Sequence, residues 1–243
     1  MFTVGQPEIW QNAVHSGSAW FFTFVLAVLF PILDYVLYQR LKSTLQIYAW
    51  NILAIWTLTA GCLWTSHLNY LTFSDLGEQA GNAFRTLVVC GIVAAIIFLL
   101  MGAQKVQKKK ATPEQVGKAL DSVRRLLPKT PTERKVWVLV AISAGVCEEF
   151  LYRGWLLTLF SAALGSVWLG LLISSVIFGL AHAYQGRSGI LGTGILGAIF
   201  GIVFIVSGSL IPGQLLHTAM DLNNGLALGK VAKPAEASRS SGA

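Results

Sequence analysis

Residues 136–160 read VWVLVAISAGVCEEFLYRGWLLTLF, an apolar run that contains two adjacent acids and one base. A helix that spans a bilayer needs roughly 17–25 predominantly apolar residues, and this run has that length. A charge at mid-bilayer costs at least about 2.5–3.5 kcal/mol, so Glu148, Glu149 and Arg153 each need an explanation. The run predicts a membrane helix whose polar residues serve a purpose other than spanning.

The whole chain has the composition of a membrane protein. Of its 243 residues, 54% are hydrophobic and only 12% are charged, and the formal net charge is +7. A soluble domain carries about 25% charged residues. No stretch outside the apolar blocks could bury a core of its own, which excludes an ordinary soluble enzyme. Cys62, Cys90 and Cys147 lie in apolar runs and offer neither a disulfide framework nor metal-binding spacing.

Seven apolar blocks of spanning length predict an all-α fold, a polytopic membrane helix bundle of about seven transmembrane helices, although the sequence also accommodates an eighth. The blocks are residues 19–38, 47–64, 86–103, 136–160, 166–182, 190–207 and 210–228. The first block has no basic residue ahead of it and no small-residue cleavage site behind it, so we expect a retained span and not a signal peptide.

The basic residues predict how the chain is oriented, because cytoplasmic loops collect Lys and Arg. With seven spans, the segments after the first, third, fifth and seventh lie on one side, and they hold nearly all the Lys and Arg residues. The sequence therefore predicts an integral membrane protein with its N-terminus outside and its C-terminus in the cytoplasm. The bias suits a bacterial inner membrane or an equivalent organellar one.

The long basic loop, residues 104–135, is expected to lie against anionic lipid headgroups, where each basic residue contributes about 1 kcal/mol. Apolar residues at helical spacing predict an interfacial amphipathic helix over residues 113–127. No nucleic-acid partner is expected, because no aromatic residues interleave the charges of the loop.

Ionisable residues within the apolar blocks carry the main functional signal. Six of the seven lie between the fourth and seventh spans, and the full set is Asp34, Glu148, Glu149, Arg153, His182, His217 and Asp221. Glu149 and Arg153 are four residues apart and predict an ion pair on one helical face. Glu148 is rotated by about 100° from its neighbour, which leaves its carboxylate available as a general base. The alternative is that both acids only join helices.

The histidines and the remaining acids allow several roles. Phe178 and His182 share one helical face, as do His217 and Asp221, and the second pair resembles an imidazole oriented by a carboxylate. Glu148 with the two histidines could also bind zinc, but HExxH is absent, so no cofactor is predicted and a metal stays open. Asp34, three residues after Pro31, is expected to cap a kink or face a polar cavity.

Glycines in the sixth block spell a pattern typical of dinucleotide binding. Gly192, Gly194 and Gly197 form GxGxxG, but the pattern lies inside an apolar span without the preceding strand that a nucleotide fold requires. Gly197 and Gly201 also form GxxxG, which allows helix backbones to approach closely in a membrane. Close helix packing is the favoured interpretation.

Three patterns occur in order along the C-terminal half of the chain: Glu148-Glu149-x-x-x-Arg153, Phe178-x-x-x-His182 and His217-x-x-x-Asp221. With the flanking phrases EEFLYRGWLL and SSVIFGLAHAYQG, they resemble the signatures of the CPBP family (CAAX protease and bacteriocin-processing, or Abi). This family includes the type II CAAX prenyl endopeptidases. The resemblance covers about residues 136–228.

The resemblance implies an intramembrane glutamic endopeptidase that hydrolyses a peptide bond in a membrane-anchored or lipid-modified protein. In such an enzyme Glu148 and His182 would activate a water, and His217 with Asp221 would support the oxyanion. The supporting residues would be Glu149, Arg153 and Phe178. Many members have Asn where this chain has Asp221. An ionised Asp cannot donate a hydrogen bond, so Asp221 would orient His217 or carry a proton. Asn223 and Asn224 are expected on other helical faces.

The chain is expected to divide into three regions. Residues 1–135 form an N-terminal three-helix membrane region that ends in the basic loop, residues 136–229 a four-helix catalytic core, and residues 230–243 a disordered cytoplasmic tail. Two other functions stay open: a non-catalytic membrane partner for regulation or bacteriocin immunity, and a proton-coupled transporter. The transporter is disfavoured because the sequence contains no visible inverted repeat.

The depths of the three proposed site residues do not agree in the sequence. Counted at 1.5 Å per residue from the outer ends of their spans, Glu148, His182 and His217 lie about 18, 24 and 10 Å deep. Side chains of one site must lie at one depth, so we expect the boundaries of the fourth and fifth spans to be misplaced.

Overall fold

A computed structural model describes residues 7–78, 84–92, 95 and 123–231, and throughout this part the chain is helical, with short turns and no strand. Helix α1 is Pro7–Val14, and α2 joins Gly17–Phe24, a π-helical turn Val25–Leu29 and Phe30–Arg40. Helix α3 is Thr44–Leu68, and residues 84–92 are also helical. Helix α4 joins Pro131–Glu149, a π-helical segment Phe150–Leu157 and Thr158–Leu164. Helix α5 is Val167–Ala181, followed by the short 3₁₀ helix Ala183–Gln185, α6 (Gly186–Ser207) and α7 (Ile211–Val231).

The predicted all-α membrane bundle is confirmed. Six of the seven apolar blocks fall on α2 to α7. The block 86–103 lies outside the described residues from residue 93 onward, residue 95 excepted. Three described helical stretches are long and apolar enough to cross a membrane, with mean hydropathies of 2.1, 1.3 and 2.4; they are Gly17–Arg40, Thr44–Leu68 and Ala183–Ser207. Large apolar side chains point outward along these helices, as they do where lipid is the solvent.

Helix α4 begins earlier than its apolar composition indicates. Thr130 and Glu133 form a capping box in which each side chain accepts a hydrogen bond from the other residue's backbone N–H, and Pro131 occupies the first turn. The helix therefore starts at Pro131 and not at residue 136. The predicted amphipathic helix 113–127 is wrong over residues 123–126, which form turns, and its residues 113–122 lie outside the described part, as do 104–122 of the basic loop and 232–243 of the tail.

One end of the bundle is tied together by the segment that precedes α4. The Arg125 guanidinium donates to the carbonyl of Tyr38 at 2.9 Å and also to that of Leu41. In return Thr44 Oγ1 donates to the carbonyl of Arg125, and the Tyr48 hydroxyl to that of Leu126. These contacts place residues 123–127 beside the connection between α2 and α3. The basic residues at positions 40, 42, 124, 125, 129, 134 and 135 therefore lie at the same end.

At the opposite end, the connection between α6 and α7 lies inside the protein. Ser209 is fully buried and Leu210 is 1% exposed, so α7 begins below the surface of the bundle. The loop 69–78 covers this connection: the Leu210 N–H donates to the carbonyl of Gly77 at 3.0 Å, and Gln214 donates to Glu78. The start of α7 is thereby fixed at depth by a segment in which the sequence offers no recognisable motif.

The π-helical segment Phe150–Leu157 is the most deeply buried part of α4. Widening of a helix to π geometry changes the pairing of its backbone, and neighbouring hydroxyls bond to two of its carbonyls. Ser174 Oγ donates to the carbonyl of Tyr152 at 2.6 Å, and Thr158 Oγ1 to that of Arg153 at 3.1 Å. Gly154 lies directly under the covering loop, where a Cβ would come within 2.7 Å of the carbonyl oxygen of Leu76.

Substitution Gly154→Ala should destabilise the protein, because its methyl group meets backbone and not a flexible side chain. Overpacking of this kind costs typically about 1–3 kcal/mol. The matched control is Gly192→Ala in α6, where a Cβ meets nothing within 4 Å and the change favours helix formation. Thermal unfolding in detergent measures both variants. Equal midpoints for Gly154→Ala and wild type would contradict the described packing of loop 69–78.

Candidate active site

Helices α4, α5 and α7 bring one carboxylate and two imidazoles together. Glu148 Oε2 lies 4.0 Å from His182 Nε2 and 3.9 Å from His217 Nε2. The same oxygen is buried and accepts no hydrogen bond from any described residue. Three residues that the sequence places on three separate spans thus meet at one point.

Glu149 joins two of the predicted residues in a way that helical spacing did not reveal. Its Oε1 accepts from Arg153 Nη1 at 3.0 Å, which is the predicted ion pair, and also from His217 Nδ1 at 3.0 Å. The expected partner of His217 was Asp221, but Asp221 Oδ2 lies 3.7 Å from Nε2 on the other side of the ring. Because a carboxylate only accepts, Nδ1 carries a proton, and Nε2 is the atom that faces Glu148 and Asp221.

Arg153 is 1% exposed, and α6 completes its surroundings. Its Nη2 donates to the carbonyl of Gly197 at 3.0 Å, and its guanidinium lies over the rings of Phe178 and Phe200 at 4.4 and 5.3 Å from their centroids. A Cβ on Gly197 would come within 3.1 Å of Phe178 and 3.4 Å of Arg153. Gly197, which the GxGxxG and GxxxG patterns share, is thus part of a close approach between helices, as the packing interpretation predicts, whereas Gly192 has no neighbour within 4 Å of a Cβ.

Hydrogen bonds and aromatic neighbours hold the rings of the two histidines in place. His182 is the C-terminal cap of α5, and its Nδ1 donates to the carbonyl of Phe178 at 2.8 Å, so Nε2 is turned towards Glu148. The Phe178 ring packs on His182 at 4.7 Å, and Phe200 stacks on His217 at 5.0 Å. In the described part of the chain, no group of three or more His, Cys, Asp and Glu residues is arranged to hold a metal ion.

A cavity of about 330 Å³ opens beside these groups. Glu148, His182, His217 and Asp221 lie in its wall, and so does Asn224, contrary to the expectation that it lies on another face. Asn224 follows His217 by seven residues, nearly two helical turns, and this spacing would have identified it. The other lining residues are mostly apolar and include Tyr48, Val123, Leu127, Trp137, Val140, Met220 and Leu228.

The mismatch in depth has two structural causes. Helix α4 continues to Leu164, beyond the predicted end at residue 160, which brings Glu148 almost level with His182. The predicted fifth block, in contrast, agrees with α5. Helix α7 starts at the buried connection 207–210, so His217 lies deeper than its position in the sequence indicates.

Loss of the Arg153 charge should destabilise the protein more than loss of the whole buried pair. Arg153→Met leaves Glu149 without its cation, a change that typically costs about 3–5 kcal/mol for a buried pair. Adding Glu149→Gln removes the uncompensated charge and should restore much of that stability, though not the hydrogen-bond pattern at His217. Thermal unfolding of the single and double variants decides: a double variant less stable than Arg153→Met alone would contradict the assigned pairing.

Comparison with known proteins finds a family model that matches the segment containing this site. Residues 131–223 match the family model described as Type II CAAX prenyl endopeptidase Rce1-like. The match includes all of α4 to α6 and much of α7, and it contains Glu148, Glu149, Arg153, Phe178, His182, His217 and Asp221. No curated protein and no solved structure matches the chain. Residues 131–223 are therefore similar to the type II CAAX prenyl endopeptidases, and the match supports membership of the CPBP family.

Proposed function

We propose that the chain is an intramembrane endopeptidase in which Glu148 and His182 activate a water molecule for attack on a peptide carbonyl. One observation carries the proposal: a buried Glu148 oxygen without a hydrogen bond from a described residue lies within 4.0 Å of two imidazole nitrogens in a cavity wall. Both separations are too long for a direct hydrogen bond and suit contact through one water.

In the proposed reaction, Glu148 removes a proton from that water while the water oxygen forms a bond to the carbonyl carbon. The carbon–nitrogen bond then breaks, and the proton passes to the departing amine. His182 orients the water through Nε2, since its Nδ1–H is held by the carbonyl of Phe178. Glu148 therefore has the role of general base and then of general acid.

His217 is assigned to the oxyanion. Glu149 holds its Nδ1–H, and Asp221 lies near Nε2, so an imidazolium between these two carboxylates can donate from Nε2 to the developing negative charge. A fixed donor of this kind lowers a barrier by roughly 3–4 kcal/mol. Arg153 fixes Glu149 and thereby acts on the reaction only through position.

The cavity supports a substrate with an apolar or lipid-modified segment beside its scissile bond. From Glu148 it extends along mostly apolar side chains to Val123 and Leu127, at the end of the bundle that carries the basic residues. Because basic residues mark the cytoplasmic side, we place this end in the cytoplasm, the N-terminus outside and the C-terminus inside. The basic end would contact anionic lipid of a bacterial inner membrane or an equivalent organellar membrane.

Glu148→Gln should abolish cleavage, with a loss on the order of 10²–10⁴ in rate, because the amide cannot take a proton from water. Glu133→Gln is the matched control at the start of the same helix, where Gln also completes a capping box. Quantitative N- and C-terminal proteomics of membranes from the native host compares wild type with both variants at equal expression.

Uncut precursors that accumulate only with Glu148→Gln would identify the substrates. If Glu148→Gln rescues a deletion phenotype fully and changes no peptide terminus, catalysis at Glu148 is refuted. The chain would then be treated as a membrane partner for regulation or immunity, and loss of solute uptake in the same variant would indicate a transporter.

Substitutions of Asp221 test whether its hydrogen-bonding atoms take part in catalysis. Asp221→Asn keeps an acceptor for His217 and adds a donor, so we expect activity within severalfold of wild type. Asp221→Leu removes both, and we expect a loss on the order of 10² at a similar KM. Cleavage assays in detergent or proteoliposomes measure the two variants, and equal activity in Asp221→Leu and wild type would remove Asp221 from the site.

A further inference from the structure

Two small cavities lie between α2 and the pair Glu148–His182. Each has a volume of about 20 Å³, and Asp34, Asn51 and Tyr184 border both. The first cavity also reaches Glu148, Tyr152 and His182, whereas the second is lined in addition by Tyr38, Trp50 and neighbouring apolar residues. The two cavities and the large one therefore share walls, and they lead from Asp34 to Glu148.

The walls of the first cavity contain polar atoms that have no hydrogen-bond partner among the described residues. The Tyr152 hydroxyl, Asn51 Oδ1 and Glu148 Oε2 are buried and have no hydrogen bond to a described residue. Such groups in native proteins are nearly always hydrogen-bonded, to protein or to ordered water. Tyr152 is 2% exposed and lies in the π-helical segment, so bulk solvent does not reach it.

Asp34 supplies a carboxylate to the same place from a helix outside the matched segment. It is buried, and its Oδ1 accepts from Trp50 Nε1 at 2.8 Å. A cavity needs about 10–15 Å³ to hold one water, and that water needs two to four polar partners. Both cavities exceed this volume, and the first offers Asp34, Asn51, Tyr152 and Glu148 as partners.

We propose that Asp34, Asn51, Tyr152 and Tyr184 form a built water-binding site that holds one water in each small cavity and delivers water to Glu148. Delivery rests on the proposed function, since hydrolysis of each peptide bond consumes one water. A substrate that fills the large apolar cavity closes it to solvent, and the small cavities then supply the oxygen that attacks. Asp34 is a positioning residue that acts through these waters.

Radiolytic hydroxyl labelling of the intact protein in nanodiscs tests the waters without any assay of catalysis. Tyr152 should be labelled despite its burial, because radicals form from waters in contact with it. Trp155 is the control in the same segment: it is fully buried, its Nε1 donates to Thr23, and it borders neither small cavity. Tyr152 labelled no faster than Trp155 overturns the proposal.

Asp34→Leu removes the carboxylate that borders both cavities, whereas Asp34→Asn keeps hydrogen-bonding atoms there. We expect Asp34→Leu to lower Tyr152 labelling severalfold and kcat about tenfold, with KM within twofold, and Asp34→Asn to stay near wild type. If Asp34→Leu loses the labelling of Tyr152 but keeps its kcat, the proposed delivery of water to Glu148 is overturned. If Asp34→Leu does not accumulate, Ala181→Val, which narrows the first cavity, should lower Tyr152 labelling instead, and unchanged labelling there overturns the site.

Failure of the proposed function gives a different result. An active Glu148→Gln variant would refute general-base catalysis by Glu148 while leaving the labelling of Tyr152 unchanged. Unlabelled Tyr152 beside an inactive Glu148→Gln variant would refute the water site alone.

Discussion

The arrangement depends on one carboxylate, Glu149, that is buried between a guanidinium and an imidazole. Arg153 and His217 both bond to its Oε1 at 3.0 Å, and the residue is only 1% exposed. Two ionic groups within a membrane are costly, so each must be neutralised by the other and by further hydrogen bonds. Arg153 obtains these from Gly197 and from two aromatic faces. Glu149 thereby links α4 to α7 and indirectly to α6, and it leaves the adjacent Glu148 with an oxygen that no described side chain or backbone group pairs.

The second constraint is the depth at which α7 begins. His217 lies near Glu149 because the connection 207–210 lies inside the protein, where Gly77 of loop 69–78 accepts a hydrogen bond from the Leu210 N–H. An uncovered connection at that depth would leave peptide groups without partners, a cost that neither lipid nor a dry cavity offsets. Gly154 allows the close approach of this loop to α4. The loop, which lies outside the matched segment, therefore takes part in positioning the site.

Much of the fold, and the ion pair within α4, could be predicted from the sequence. Both follow from helical periodicity and from the free-energy cost of placing a charge in a membrane. Apolar length predicted the spans, and the spacing of Glu149 and Arg153 predicted their ion pair. Contacts between helices could not be obtained in this way. The hydrogen bond between Glu149 and His217 joins residues 68 positions apart. It depends on the π-helical segment that follows Glu149 and on the buried start of α7. The position of Asn224 does follow from helical spacing, since it lies seven residues, nearly two turns, after His217. The start of α4 at Pro131 was signalled by Thr130-Pro131-x-Glu133, but the charges beside it obscured the helix.

The adjacent residues Glu148 and Glu149 differ in role, since one faces the cavity and the other joins Arg153 to His217. The helices of the chain also differ in what they contribute. The matched segment 131–223 supplies the carboxylates and imidazoles, yet a site made from it alone would be open on the side where Asp34 and Asn51 stand. Helices α2 and α3 place Asp34 and Asn51 on that side beside the apolar Phe30 and Ile55, although apolar residues alone would pack there at lower cost in a membrane. Polar groups held in such a place need an occupant that can bond to several of them at once, and water is the smallest one. For a hydrolase whose main cavity is apolar, that occupant is also a reactant. If water reaches Glu148 as proposed, the N-terminal helices take part in the chemistry and do more than anchor the site.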